Sequence, residues 1–105
     1  MPPPRFTVDL EDWYHSLDVS LWSGLESCFE SQVNSLLEFL FQNQIEALFY
    51  TVGYVAQRYP NAIKNIVSSN HKIGSHSFYH KNLSCYSKKE FKEDLYKCTQ
   101  VLQDI

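Results

Sequence analysis

Residues 47–53 read ALFYTVG, a continuous run of apolar and β-branched residues that ends at a glycine. Such a run is typical of a parallel strand whose two faces are both covered. Phe6-Thr7-Val8 and Lys72-Ile73-Gly74-Ser75 are placed as the strands before and after it. We therefore expect three strands over these segments, connected through helices in a βα rhythm.

The segments between and after these strands have the periodicity of helices. Val33, Leu36, Leu37 and Leu40 recur at the spacing of one helix face, which predicts a helix from Ser31 to near Asn43. A second helix is expected to open at Gly53 and to break at Pro60. A capping box at Ser87-Lys88-Lys89-Glu90 predicts the start of a last helix, whose apolar face would contain Phe91, Leu95, Cys98 and Leu102. The pattern predicts an α/β fold.

Two polar clusters follow the outer strands of this predicted sheet. Asp9-Leu10-Glu11-Asp12 comes at the end of the first strand, and His76 and His80 follow the third, four residues apart. Parallel strands deliver their carboxyl ends to one edge of a sheet, so these groups can meet there. On a helix or at a tight entry into one, both imidazoles can turn toward one cation. The spacing is also compatible with two solvated histidines and a solvated acidic turn.

Composition limits the classes of function. The chain has 105 residues, of which 44% are hydrophobic and 15% aromatic, enough for one domain and too little for two. Its net charge of −3 argues against a nucleic acid or an anionic membrane surface as partner. No apolar run has the length of a membrane helix, and Met1-Pro2-Pro3-Pro4-Arg5 does not resemble a signal peptide. We expect a cytoplasmic protein, and small neutral or sugar-like substrates remain open.

Several other residues have more than one interpretation. Trp13, Tyr14 and Trp22 are predicted to be core or loop anchors, with stacking on sugar rings as the alternative. His15 is expected to be a solvated loop residue or a group that supports the acids, and His71 a surface residue. A solvated helix face is predicted for the charged residues Lys88, Lys89, Glu90, Lys92, Glu93 and Asp94. The sequence predicts reduced thiols at Cys28, Cys85 and Cys98.

Four segments together resemble a known family. They read FTVDLEDW at 6–13, ALFYTVG at 47–53, RYP at 58–60 and HKIGSHSFYHKNL at 71–83. In this order and spacing they are similar to the first half of a polysaccharide deacetylase, the NodB-homology group also called carbohydrate esterase family four. The start of the chain resembles the subgroup with an Asp-x-Glu-Asp first motif, which includes deacetylases linked to exopolysaccharide production.

The resemblance implies roles for individual residues. Asp9 matches the family's general base, and His76 and His80 match two metal ligands. The third ligand would be Glu11 or Asp12: a continuing strand favours Glu11, and a strand that ends at Asp9 leaves Asp12 equally plausible. The implied cofactor is a divalent metal, most simply zinc, which lowers the pKa of a bound water and polarises the acetamide carbonyl. The implied activity is hydrolytic removal of N-acetyl groups from a polysaccharide.

The resemblance also implies what this sequence lacks. The family's Arg-Pro segment and its Leu-x-x-His motif, which supplies the general acid, have no counterpart in residues 1–105. We therefore expect residues 1–105 to be the N-terminal part of such a domain, a partial (β/α) barrel of about three βα units. Its open sheet edges would allow association into a homo-oligomer. The alternatives are a module that binds a glycan or a partner without turnover, and a related hydrolase of small cyclic amides.

Overall fold

The sheet has three parallel strands in the order in which they occur in the chain. In the computed structural model, which describes residues 5–105, these are β1 (Phe6–Leu10), β2 (Ala47–Thr51) and β3 (Lys72–Ser75), with β2 in the centre. The register aligns Asp9 with Tyr50 and Tyr50 with Gly74. The three predicted strands and their order are confirmed, and the first extends two residues beyond Val8.

Among residues 5–105, four α-helices connect and follow the strands. They are α1 (Phe29–Gln42), α2 (Gly53–Arg58), α3 (Pro60–Ser68) and α4 (Lys88–Gln103). The predicted break at Pro60 is confirmed, since Tyr59 closes α2 and Pro60 occupies the first turn of α3, where its missing N–H costs nothing. The capping box of Ser87 and Glu90 is also present. No helix among residues 5–105 combines the length and apolar character that crossing a bilayer requires.

The core lies between one face of the sheet and the helices. Phe49 from β2 is fully buried there with Leu40, Ile63 and Ile66 from α1 and α3. Thr7, Asp9 and Tyr50, which alternate with core residues along their strands, are exposed. One sheet face is thus covered and the other open, as in a segment of a barrel wall, so the fold is a partial (β/α) barrel.

Three predictions about burial were wrong. Leu95 on α4 is 37% exposed, whereas Asp94 beside it is buried with Cys98. His71 is also buried, and its Nδ1 accepts a hydrogen bond of 3.0 Å from the backbone N–H of Ala47 at the start of β2. In both cases a polar side chain is buried because it satisfies backbone amides that have no partner in a helix or strand. The three cysteines are free, as predicted.

Candidate metal centre

Two strand ends bring three ligand-type side chains together. Glu11 directly follows β1, and the segment from His76 to His80 directly follows β3. One ligand atom from each of Glu11, His76 and His80 lies within 4.8 Å of the other two, and all three side chains are partly exposed. The carboxyl edge of the sheet therefore presents one carboxylate and two imidazoles toward a common point.

The distances among these side chains suit a shared cation. His80 Nε2 lies 3.2 Å from one carboxylate oxygen of Glu11, and His76 Nε2 lies 4.0 Å from the other. Ligands of a tetrahedral zinc ion are separated by about 3.4 Å, given bonds of about 2.0–2.1 Å. Two nitrogen ligands and one oxygen ligand also match the donor set of hydrolytic zinc sites, which keep one position open. The residues present therefore fit a divalent metal.

A neighbouring carbonyl favours one tautomer of the neutral His80 ring. His80 Nδ1 lies 3.2 Å from the backbone oxygen of His15. Because a carbonyl can only accept, Nδ1 carries the proton in this contact and the neutral ring keeps its free lone pair on Nε2. That lone pair faces the Glu11 carboxylate, an arrangement that is repulsive unless a proton or a cation lies between them. The carbonyl thus orients the His80 ring with Nε2 toward Glu11.

The segment that carries both histidines is a loop, so the helix considered for it is wrong. Ser77 and His80 adopt left-handed backbone angles, with φ of 61° and 54°. For residues other than glycine this conformation costs about 1–2 kcal/mol each, so the surrounding structure must hold the loop in place. The two left-handed residues fold the loop so that the His76 and His80 rings lie 5.1 Å apart.

Backbone hydrogen bonds from the first turn of α2 fix the first part of this loop. The N–H of Gly53 donates to the Ser77 carbonyl at 2.8 Å, and the N–H of Tyr54 donates to the Phe78 carbonyl at 3.0 Å. These donors are free because the first N–H groups of a helix have no partner within it. Phe78 itself is buried against Gly53 and acts as the apolar anchor of the loop.

A carboxylate that the sequence reasoning missed holds the second part of the loop. Asp94 on α4 accepts hydrogen bonds from the backbone N–H groups of Phe78 at 2.7 Å and Tyr79 at 3.2 Å, and from the Tyr86 hydroxyl. Burial, with this contact as the second cause, raises the pKa of Tyr86 well above its ordinary value. The available signal was that Asp94 lies four residues before the apolar Cys98, and therefore on the inward face of α4.

The two other acids of the first motif are placed differently from Glu11. Asp12 is buried, and its carboxylate accepts hydrogen bonds from the backbone N–H of Trp13 at 2.9 Å and from the Ser27 hydroxyl. Asp12 is the N-cap of the 3₁₀ helix Trp13–Ser16. It is not in the group with the two histidines. Asp9 is exposed on the open face of the sheet, two residues before Glu11.

His15 lies in an aromatic cluster behind the site. It is buried against Trp22, at 4.5 Å between ring centroids, with Tyr14 and Tyr54 nearby. Its Nδ1 accepts from the Asp12 N–H at 2.8 Å, and its Nε2 has no hydrogen-bond partner among residues 5–105. Burial lowers the pKa of His15 to about 4, with Asp12 opposing and His80 adding to the shift. The solvated interpretation was wrong, since the ring is buried and bonded to the backbone of Asp12, and the role of His15 in supporting the acids stays a prediction.

The aromatic residues predicted as anchors divide into two kinds. Tyr14 and Trp22 are buried, and the Trp22 indole donates to the Leu17 carbonyl at 3.0 Å. Trp13 is 57% exposed, although its indole donates to the Glu26 carbonyl at 2.9 Å. The anchor prediction is therefore confirmed for Tyr14 and Trp22, whose side chains are buried.

A cleft adjoins the ligand cluster at His80. It has a volume of about 530 Å³, within the range of small-molecule sites, and is lined by His15, Leu17, Asp18, Val19, Tyr79, His80, Lys81, Asn82 and Cys85. Its lining includes hydroxyl, amide, carboxylate and ammonium groups. Such a mixture suits a neutral molecule with many hydroxyl groups.

Comparisons with known proteins agree on one family. A family model described as "Polysaccharide deacetylase" matches residues 19–105. A peptidoglycan-N-acetylglucosamine deacetylase of Bacillus cereus is 31% identical over 67 residues, which cover 64% of this chain and 24% of the relative. A putative polysaccharide deacetylase from Mycobacterium smegmatis has a similar structure, with a TM-score of 0.80 and 23% identity over 96% of this chain and 38% of that one.

A CE4 family pseudoenzyme from Bacillus anthracis also has this fold, with a TM-score of 0.74 and 21% identity over 95% of this chain and 30% of that one. The chain therefore spans about a quarter to two-fifths of the length of these relatives.

Proposed function

The chain belongs to the polysaccharide deacetylase family, and on this basis we propose that it is the metal-binding part of a hydrolase that removes N-acetyl groups from a glycan. The observation that carries the proposal is the convergence of Glu11, His76 and His80 at the carboxyl edge of the sheet. The proposed cofactor is a divalent metal, with zinc favoured by the two imidazoles and one carboxylate.

Each residue of the site has a part in the proposed reaction. Glu11, His76 and His80 would hold the metal, which when bound acts as a Lewis acid on a water and on the acetamide carbonyl. Asp9 would take the proton of the attacking water on a carboxylate oxygen, as a general base. Support for this role comes from its exposure on the open sheet face, two residues before Glu11.

The proposed substrate is a glycan that contains N-acetylglucosamine. The likeness to the Bacillus cereus peptidoglycan-N-acetylglucosamine deacetylase supports this choice. The cleft beside His80 supports it too, since Lys81, Asn82 and Asp18 offer hydrogen-bonding groups to sugar hydroxyls. We further propose that residues 1–105 need a general acid from elsewhere for full activity, since general-acid help contributes about 10²- to 10⁴-fold.

Calorimetry with Zn²⁺ tests the site. Wild type is expected to bind one ion, and His76→Ala and Glu11→Gln to lose most of that affinity, because each removes a ligand. Asp12→Asn separates the two candidate acids and should keep the affinity, and Asp18→Asn, which removes an exposed carboxylate, is the charge control. Equal uptake by wild type and His76→Ala would mean that the metal binds elsewhere.

Acetate release from chito-oligosaccharides and peptidoglycan tests the reaction. The zinc-loaded 105-residue chain should be feeble, whereas a longer polypeptide that adds the family's Leu-x-x-His segment should be active and should lose activity on Asp9→Asn without losing zinc. Robust turnover by the 105-residue chain would refute the need for an added general acid.

A second candidate function is glycan binding without turnover. The likeness to the Bacillus anthracis pseudoenzyme favours it. Saturable glycan binding by a zinc-loaded longer polypeptide that releases no acetate would support this candidate over the deacetylase.

A further inference from the structure

Asp94 is buried beside the loop from His76 to His80, although it lies 14 residues beyond His80 in sequence. Asp94 is 5% exposed, and its carboxylate faces the backbone of Phe78 and Tyr79, which lie between the two histidines. A buried carboxylate is costly unless hydrogen bonds compensate it. Here two backbone N–H groups and the Tyr86 hydroxyl provide that compensation.

We propose that Asp94 is a positioning residue that holds the loop between His76 and His80 in the shape required for metal binding. This inference rests on the proposed metal site. Asp94 is not among the three side chains whose ligand atoms converge, so its action would be transmitted through the backbone.

The conformation of the loop explains why it needs such support. Ser77 and His80 lie in the left-handed region, so the loop would relax toward ordinary backbone angles if it were unrestrained. The N–H groups of Phe78 and Tyr79 lie between these two residues and point to Asp94. Hydrogen bonds to a charged acceptor are about twice as strong as neutral ones, so this carboxylate can offset much of the strain.

Neighbouring groups reinforce the same contact. The Lys97 ammonium lies 4.0 Å from the centroid of the Phe78 ring and donates to the Tyr79 hydroxyl at 3.0 Å. Lys97 is one helical turn after Asp94 in sequence, so both side chains of α4 face the loop. α4 therefore contacts the loop in two ways. The Asp94 carboxylate binds the loop backbone, and the Lys97 ammonium lies against the aromatic side chains of the loop.

The first test needs no metal. Amide hydrogen exchange in the metal-free chain should be about tenfold faster or more at Phe78 and Tyr79 in Asp94→Asn, because an amide side chain cannot accept from all three donors. Glu93→Gln removes an exposed carboxylate from the same helix and should leave these two amides unchanged. Wild-type exchange at both amides in Asp94→Asn would overturn the proposal.

The second test measures the metal site itself. Asp94→Asn should lower the Zn²⁺ affinity by about tenfold or more and alter the visible spectrum of bound Co²⁺, while Glu93→Gln should do neither. A purely structural role would lower the unfolding temperature but leave the affinity and spectrum of the folded protein unchanged, and that result would also overturn the proposal.

Two further outcomes keep the experiment decisive. If Asp94→Asn fails to fold, Tyr86→Phe removes only one of the three hydrogen bonds and should give smaller shifts in the same direction; wild-type values in it would then overturn the proposal. If wild type itself binds no Zn²⁺, the proposed metal site is refuted, and the role of Asp94 in metal binding with it. The exchange rates then still decide whether Asp94 holds the loop.

Discussion

Gly53 is the position where a single methyl group should disturb both the fold and the site. A Cβ added there would lie 2.5 Å from Cδ2 of Phe78 and 3.2 Å from the backbone Cα of Cys98. Phe78 is 1% exposed, so its ring has no free space into which to move. The N–H of Gly53 also donates to the Ser77 carbonyl. Any shift of the start of α2 should therefore move the loop from His76 to His80.

The expected effect of Gly53→Ala is a net loss of stability. Overpacking a core costs about 1–3 kcal/mol, and replacing glycine by alanine in a helix returns up to about 1 kcal/mol. We expect the free energy of unfolding to fall by about 1–2 kcal/mol. In a domain of this size, each kcal/mol lowers the unfolding temperature by about 4–8 °C. Urea and thermal unfolding followed by circular dichroism measure the change.

Gly24→Ala is the matched control, because a Cβ at Gly24 would meet nothing within 4 Å. In the double variant with Phe78→Leu, the smaller side chain should relieve part of the clash, so the two substitutions should destabilise less together than the sum of their separate effects. If Gly53→Ala is as stable as Gly24→Ala, the packing of Phe78 against Gly53 is not as described and the reasoning is refuted.

Two further predictions concern the buried histidines. His71→Leu should lower the free energy of unfolding in urea by about 1–3 kcal/mol, because it leaves the Ala47 N–H buried without an acceptor; a loss below about 0.5 kcal/mol would contradict this. The folded-state pKa of His15, about 4, is below its ordinary 6.5, so the unfolded chain takes up a proton first as the pH falls. The contribution of neutral His15 to the free energy of unfolding should be complete above pH 6.5 and be lost toward pH 4, by up to about 3 kcal/mol. His15→Gln should remove this part of the pH dependence.

Local patterns were sufficient for most of the secondary structure. The apolar run at 47–52 predicted β2, Pro60 predicted the break between α2 and α3, and the pair Ser87 and Glu90 predicted the start of α4. These features depend on the fixed φ of proline, on a reciprocal hydrogen bond three residues apart and on side-chain alternation. All of them act within a few residues and can therefore be read along the chain.

The choice between Glu11 and Asp12 required the tertiary structure. The first motif left both acids open as partners of the histidines. In the fold, Asp12 is occupied by the Trp13 N–H and by Ser27, fifteen residues away, whereas Glu11 faces His76 and His80. The competing hydroxyl belongs to Ser27, which is distant from Asp12 in sequence. No local pattern predicts that two such distant residues will lie side by side in the fold.

The sequence by itself determined the βα order, the helix boundaries at Pro60 and Ser87, and the set of residues from which a metal site can be built. Only the tertiary structure decided that Asp94, His15 and His71 are buried, because each satisfies a backbone amide brought to it by another part of the fold or by a tight turn. Charge and polarity along a chain favour exposure for such residues. Such a residue is buried where a backbone N–H would otherwise be enclosed without a partner, because an unpaired buried N–H costs about as much as a lost hydrogen bond.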